Sequence, residues 1–264
     1  MVFIPHLLMM FIILPLSLCL TPHGFADDPG LAKLFQERGV EGSMVISSLD
    51  GKIEYAYNLV RSRERFVPAS TFKILNTLIA LQEGAIKNES EVIRWDGQDK
   101  GLAAWNQDQT LATAFPSSCI WFYQELAKRI GNDKYLDHLK KAGYGNGRTG
   151  PEVTTFWLAG NLKISPREQI DFLKKLVNGT LPYAGSQIQL VKKLMMVEEK
   201  PQYLLRAKTG WASQVIPQQG WYVGYVETKG QVWFFATEME IKNKGDEAFR
   251  KEITLGALKA KGII

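Results

Sequence analysis

The most reactive arrangement in the sequence is Ser70-Thr71-Phe72-Lys73. A serine hydroxyl is a weak nucleophile until a base stands within hydrogen-bond reach. Positions i and i+3 of a helix share a face, so a helix over residues 69–83 would bring Ser70 and Lys73 together. Phe72, Ile74, Leu75, Leu78, Ile79 and Leu81 leave that helix almost no polar side before Gly84 stops it, so it is expected to be buried. Burial disfavours a charged ammonium, and so does the positive end of the helix dipole at Lys73 in the first turn. Both push Lys73 toward a neutral amine that can accept the serine proton. One S-x-x-K arises by chance about once in a chain of this length. The placement of this lysine on a helix without a polar face is what calls for explanation.

Lys208-Thr209-Gly210, followed by Trp211, closes a predicted strand over Tyr203–Thr209. A cation, a hydroxyl and a glycine that lets backbone approach suit recognition of a substrate carboxylate along a strand edge; a plain strand-end turn fits the same residues. Other chemistries lack parts. Beyond residue 26 the only histidine is His138, beside Lys140 and Lys141, which reads as a solvated helix face and leaves a Ser-His-Asp triad resting on one residue. No His/Cys cluster has metal-ligand spacing, and no glycine-rich phosphate loop occurs. The net charge of +5 is dispersed without a Lys/Arg block, so nucleic acid is not an expected partner.

The elements that must position these residues follow from period and punctuation. Ser43–Leu49 and Lys52–Tyr57 flank Asp50-Gly51 as a tight hairpin. Helical and loop segments follow, clearest over Ile120–Ile130 and Arg167–Val177. The period then changes. Tyr203–Thr209, Trp221–Glu227 and Gln231–Glu238 read as strands with nearly continuous apolar runs, as in a sheet covered on both faces. A last helix spans about Asp246 to Lys259. The expectation is an α/β (α+β) fold in one catalytic domain over residues 27–264. Residues 27–60 and 182–264 would form a mixed lobe, with a helical lobe, 61–181, inserted between them. Residues 1–26 read as a cleaved secretory signal. The apolar run Leu7–Leu20 is short for a membrane span and small residues follow at Gly24 and Ala26, although no Lys or Arg precedes the run. An uncleaved anchor is the weaker reading. After cleavage Cys119 stands alone, so no intramolecular disulfide is available.

With these motifs placed, the chain resembles the class D (oxacillinase-type) serine β-lactamases along its whole mature length. Beyond the two motifs above it carries Ser118-Cys119-Ile120, Tyr144-Gly145-Asn146, Phe156-Trp157-Leu158 and Arg250 on the last helix. The order S-x-x-K then K-T-G belongs to penicillin-recognising enzymes. The resemblance implies the penicillin-recognising serine hydrolase fold, an antiparallel sheet flanked by helices. It also implies hydrolysis of a small-molecule β-lactam through an acyl-enzyme on Ser70, giving antibiotic resistance in the bacterial periplasm. Lys73, carboxylated by carbon dioxide to N6-carboxylysine, would be the general base, with no other cofactor and no metal. Trp157 would donate to the carbamate, though a core tryptophan needs a partner for its N–H anyway. Ser118 would pass a proton to the leaving nitrogen; a helix N-cap is its plainer role, shared with Ser117. Backbone N–H groups of Ser70 and Trp211 would form the oxyanion hole. Lys208, Thr209 and Arg250 would hold the substrate carboxylate; otherwise Arg250 is a surface cation. Trp105 would line the mouth, and Tyr144-Gly145-Asn146 a wall and turn. The family usually has valine where this chain has Ile120, and the added methylene could crowd the lysine pocket. No membrane partner is implied after signal cleavage, and no oligomeric state.

Two other functions share these motifs. A β-lactam sensor would stay acylated, but such domains are usually tethered behind membrane-spanning segments. A penicillin-binding transpeptidase is generally longer and lacks the tryptophan that serves the carbamate.

Overall fold

The computed structural model describes residues 26–264. The expected secretory segment therefore lies outside the described residues, except for Ala26. Among the described residues no helix is long and apolar enough to cross a membrane.

Helix α1 (Pro29–Gln36) begins where Asp28 accepts hydrogen bonds from the backbone of Gly30 and Leu31, with Pro29 at the first helical position. Strands β1 (Gly42–Ser48) and β2 (Glu54–Tyr57) follow. Their connection runs from 49 to 53, longer than the two-residue turn expected at Asp50-Gly51. The Asp50 side chain, held by Ser48 Oγ and the Lys52 backbone, organises that wider turn. The helical segment comprises α2 (Lys73–Gln82), α3 (Leu111–Ala114), α4 (Ile120–Ile130), α5 (Asn132–Ala142), α6 (Pro166–Asn178) and α7 (Gly185–Leu194). Helix α6 shows why its bounds are sharp: Ser165 and Glu168 form a reciprocal capping box, Pro166 opens the helix, and Gly179 ends it at φ +67°.

The chain closes with β3 (Met196–Glu199), β4 (Tyr203–Ala212), β5 (Gln218–Thr228), β6 (Gln231–Ile241) and α8 (Phe249–Ala260). The strands form one six-stranded antiparallel sheet in the order β2-β1-β6-β5-β4-β3, so strands from both chain ends meet where β1 pairs with β6. One face packs on α2 and its neighbours, the other on α1 and α8, which is why the strands read as continuous apolar runs.

Two further expectations about elements need correction. The segment from Ala69 to Phe72 is a 3-10 turn, and the α-helix begins only at Lys73. Strand β4 also continues past Thr209 to Ala212, because Gly210, Trp211 and Ala212 keep pairing with Trp221, Gly220 and Gln219 of β5.

Candidate active site

Lys73 Nζ lies 2.8 Å from Ser70 Oγ. The tight turn followed by the first residue of α2 brings them to one side. Lys73 is fully buried and Ser70 retains 8% exposure, so the hydroxyl faces the outside and the amine the interior. Desolvation pushes the Lys73 amine down to about 7. Burial also lifts the neighbouring Cys119 thiol to about 11, so at neutral pH it carries no charge to oppose this. The Tyr123 ring, 5.0 Å from Nζ, gives the cation only partial compensation.

The turn that presents Ser70 is strained and braced. Ala69 sits at φ +48°, a region that costs a side chain with a Cβ about 1–2 kcal/mol. Thr71 Oγ1 donates to the Pro68 carbonyl at 2.7 Å and accepts from Gln169 Nε2 at 2.9 Å, holding the turn from below. Trp157 is fully buried beside the same turn, its ring 5.9 Å from that of Phe72. Its Nε1 has no hydrogen-bond partner among the described residues. A buried N–H without an acceptor is costly, and an anionic acceptor on Lys73 would answer it. The donor set therefore fits the carboxylated lysine that the resemblance implies.

The second wall comes from β4 and the turn before α4. Ser118 has φ +56°, the other strained residue of the site. Its Oγ accepts from Lys208 Nζ, which also reaches the Thr209 carbonyl at 3.1 Å. The N-cap position of α4 belongs to Cys119, and no side chain caps it. Ser117 Oγ instead donates to the Thr113 carbonyl at 2.6 Å. Ser118 is thus left to face the cavity. Burial, reinforced by Lys73, Arg250 and Lys251, holds the Lys208 ammonium well below the ordinary lysine range.

Strand β3 pairs with β4 only as far as Arg206, so the edge of β4 beyond Ala207 faces the cavity unpaired. A Cβ at Gly210 would stand 2.9 Å from the Pro68 carbonyl, so only glycine lets β4 approach the nucleophile turn this closely. Arg250 Nη1 donates to the Gly210 carbonyl at 3.2 Å, its buried Nε has no partner among the described residues, and burial lowers its guanidinium. It is not a freely solvated surface cation.

A cavity of about 400 Å³ joins these walls. Ser70, Trp105, Ser118, Ile120, Thr209, Trp211 and Arg250 line it, with Lys73 and Trp157 buried below the serine turn. Lys208 reaches it through Ser118. Trp105 is fixed by its Nε1 bond to the Ser117 carbonyl, 3.0 Å, and Trp211 by its Nε1 bond to Gln218 Oε1, 2.9 Å. Leu102 and Pro116 also line the cavity and were not anticipated, and Ser213 lines it from the loop that follows Ala212. The available signals, an apolar residue after Gly101 and a proline before Ser117-Ser118, do not point to a cavity by themselves. His138 is corrected: it is not on a solvated face but buried, 2.8 Å from Glu83 Oε1 and 3.1 Å from the Tyr183 hydroxyl.

Comparison with known proteins agrees with this geometry. The family model for the penicillin binding protein transpeptidase domain matches residues 39–258. Beta-lactamase OXA-48 of Klebsiella pneumoniae is 40% identical over 230 residues, covering 87% of each chain. Beta-lactamase OXA-2 of Salmonella typhimurium is 40% identical over 228 residues, covering 86% of this chain and 82% of the relative. The class D β-lactamase YbXI from Nostoc superposes with a TM-score of 0.87 at 42% identity, covering 89% of this chain and 99% of that one. FUS-1 (OXA-85), a class D β-lactamase from Fusobacterium nucleatum, gives a TM-score of 0.88 at 35% identity, covering 90% and 100%. Matches of this identity and extent, in sequence and in fold alike, mean that the chain belongs to the class D serine β-lactamases, within the penicillin-binding transpeptidase-domain family.

Proposed function

We propose that this protein hydrolyses the β-lactam ring of penicillin-type antibiotics through an acyl-enzyme on Ser70, after export to the bacterial periplasm, and so confers resistance. The observation that carries the reading is the 2.8 Å contact between Ser70 Oγ and a fully buried lysine whose amine is pushed down to about 7. At neutral pH a large fraction of that amine is uncharged and can take the serine proton.

The substrate carboxylate is held by Lys208, Thr209 and Arg250, which brings the lactam carbonyl over Ser70. Ser70 Oγ attacks the carbonyl carbon, and the backbone N–H groups of Ser70 and Trp211 stabilise the oxyanion. The C–N bond of the ring breaks as the nitrogen takes a proton from Ser118, whose oxygen is bonded to Lys208, and the proton that the Lys73 base took from Ser70 restores the Ser118 hydroxyl. Water then attacks the ester, freeing Ser70 and leaving a second carboxylate on the product. A carboxyl group added to Lys73 from carbon dioxide would supply a carboxylate base for both halves of the reaction, with Trp157 Nε1 and Ser70 Oγ as its holders. Only a neutral amine can accept carbon dioxide, and the burial of Lys73 provides one.

Incubation with a chromogenic cephalosporin tests the proposal. Many turnovers per enzyme are expected. One equivalent of stable acylation would instead assign a sensor or a transpeptidase.

A further inference from the structure

A second cavity, of about 230 Å³, adjoins the reaction cavity. The two share Pro116 and Thr209. The second continues along the edge of β4, where the Ala207 N–H still donates to the Met195 carbonyl and Lys208 begins the unpaired stretch. Phe115, Met196 and Val197 give it apolar walls, and Val197 is 53% exposed at its rim. Lys251 on α8 also lines it, with Nζ 6.0 Å from the Tyr222 ring. The neighbouring charges Glu252 and Lys261 pair with Arg38 and Asp28, leaving Lys251 without an ion pair among the described residues.

The position of this cavity relative to the reaction gives it a use. In the proposed hydrolysis the carboxylate rests on Lys208, Thr209 and Arg250, while the lactam carbonyl lies toward Ser70 and Trp211. Cephalosporin-type rings carry a substituent on the carbon next to the one bearing the carboxylate. Thr209 lines both cavities, so an arm on the carbon beside the carboxylate has the second cavity within reach. Penicillins carry only methyl groups at the corresponding place.

We infer that the cavity between the end of β3 and α8 is a subsite for this arm of a bicyclic β-lactam, and that Lys251 selects arms ending in a carboxylate or sulfonate. The apolar walls accept the stem of the arm. The unpaired ammonium receives its charged end. The inference rests on the hydrolase reading and adds a substrate preference to it.

The test uses the full-length protein and three cephalosporins sharing one acyl side chain, with a methyl, a bulky neutral or a bulky anionic group as the arm. Lys251→Glu is expected to lower kcat/KM for the anionic arm about tenfold or more relative to the methyl and neutral compounds, whose shared response reports the effect of the variant on Lys208. Val197→Trp, which fills the rim, is expected to lower kcat/KM for both bulky arms and spare the methyl compound. A uniform loss across the three compounds in Lys251→Glu, or unchanged ratios in either variant, would overturn the subsite. If the unaltered protein turns over none of the three, the hydrolase reading fails, and the subsite falls with it for that separate reason.

Discussion

Two clusters of buried charge stand in this molecule, and they are built on opposite rules. Around Arg61, the partners are complete. Its guanidinium grips Glu238 at 2.7 and 2.9 Å, reaches Glu240 at 3.3 Å, and lies over the Phe66 ring. Around Ser70, buried Lys73 and Lys208 and the largely buried Arg250 lack a carboxylate partner among the described residues, Trp157 Nε1 and Arg250 Nε lack acceptors there, and Ala69 and Ser118 sit at positive φ. A satisfied cluster ties the turn at Arg61 to strand β6 and needs nothing more. A cluster with unanswered donors and strained backbone is held ready for an anion that the described residues do not supply. Where the donors go unanswered is where substrate is expected.

The comparison breaks most visibly at Lys73. Lys73→Met is expected to reduce turnover by about 10³-fold or more while raising the thermal midpoint. The sign follows from protonation. The buried amine binds its proton less tightly than the unfolded chain does, so the penalty on folding is full below about 7 and fades as pH climbs toward 10.5. Midpoints measured from pH 6 to 9 should therefore rise less steeply in the variant than in the parent. Equal slopes would mean that the amine is not desolvated.

Arg61→Met should do the reverse, costing about 3–5 kcal/mol of stability by stranding a buried carboxylate, with kcat preserved at low temperature. Glu238 is pushed up to about 7 by burial even with Arg61 beside it, so the loss should be smaller at pH 5, where the carboxylate takes a proton. Denaturant titration at both pH values reads this. A matching loss of kcat in folded protein would make Arg61 part of the reaction.

Trp157→Phe removes the unanswered N–H. Loss of one hydrogen bond to a charged group predicts a fall in steady-state rate of about tenfold to a hundredfold, partly restored by added bicarbonate. Ile120→Val is the mildest change. Relief of one methylene at the cavity wall is expected to alter the rate by about threefold at most, and to shrink any effect of bicarbonate on the time course. A bicarbonate response identical in parent and variant would clear Ile120 of crowding the pocket.

The chemistry of the site was more legible in the sequence than its geometry. The Ser70–Lys73 spacing and the all-apolar helix behind it contain the essential contact, since both are local. Strand-like periodicity likewise revealed the double-sided burial of β5 and β6. What escaped depends on distant partners. Lys208-Thr209-Gly210 reads as a strand end because glycine weakens strands, yet pairing with Trp221 and Tyr222 carries β4 through it. His138 reads as solvated from its lysine neighbours, but Glu83 and Tyr183, far away in sequence, enclose it. Ser118 resembles a helix cap until its positive φ turns it toward Lys208. The class D resemblance supplied the expected roles of Trp157 and Arg250, which periodicity alone would leave as a core aromatic and a helix-surface cation.

The central claim is that a neutral, buried Lys73 amine takes up carbon dioxide and becomes the base of the reaction. Carbon-13 NMR of the protein equilibrated with labelled bicarbonate at neutral pH tests it most directly. A carbamate carbonyl resonance is predicted in the parent, absent in Lys73→Met and fading together with activity as the pH is lowered through about 7. A fully active enzyme with no such resonance, or a resonance that survives in Lys73→Met, would contradict the account.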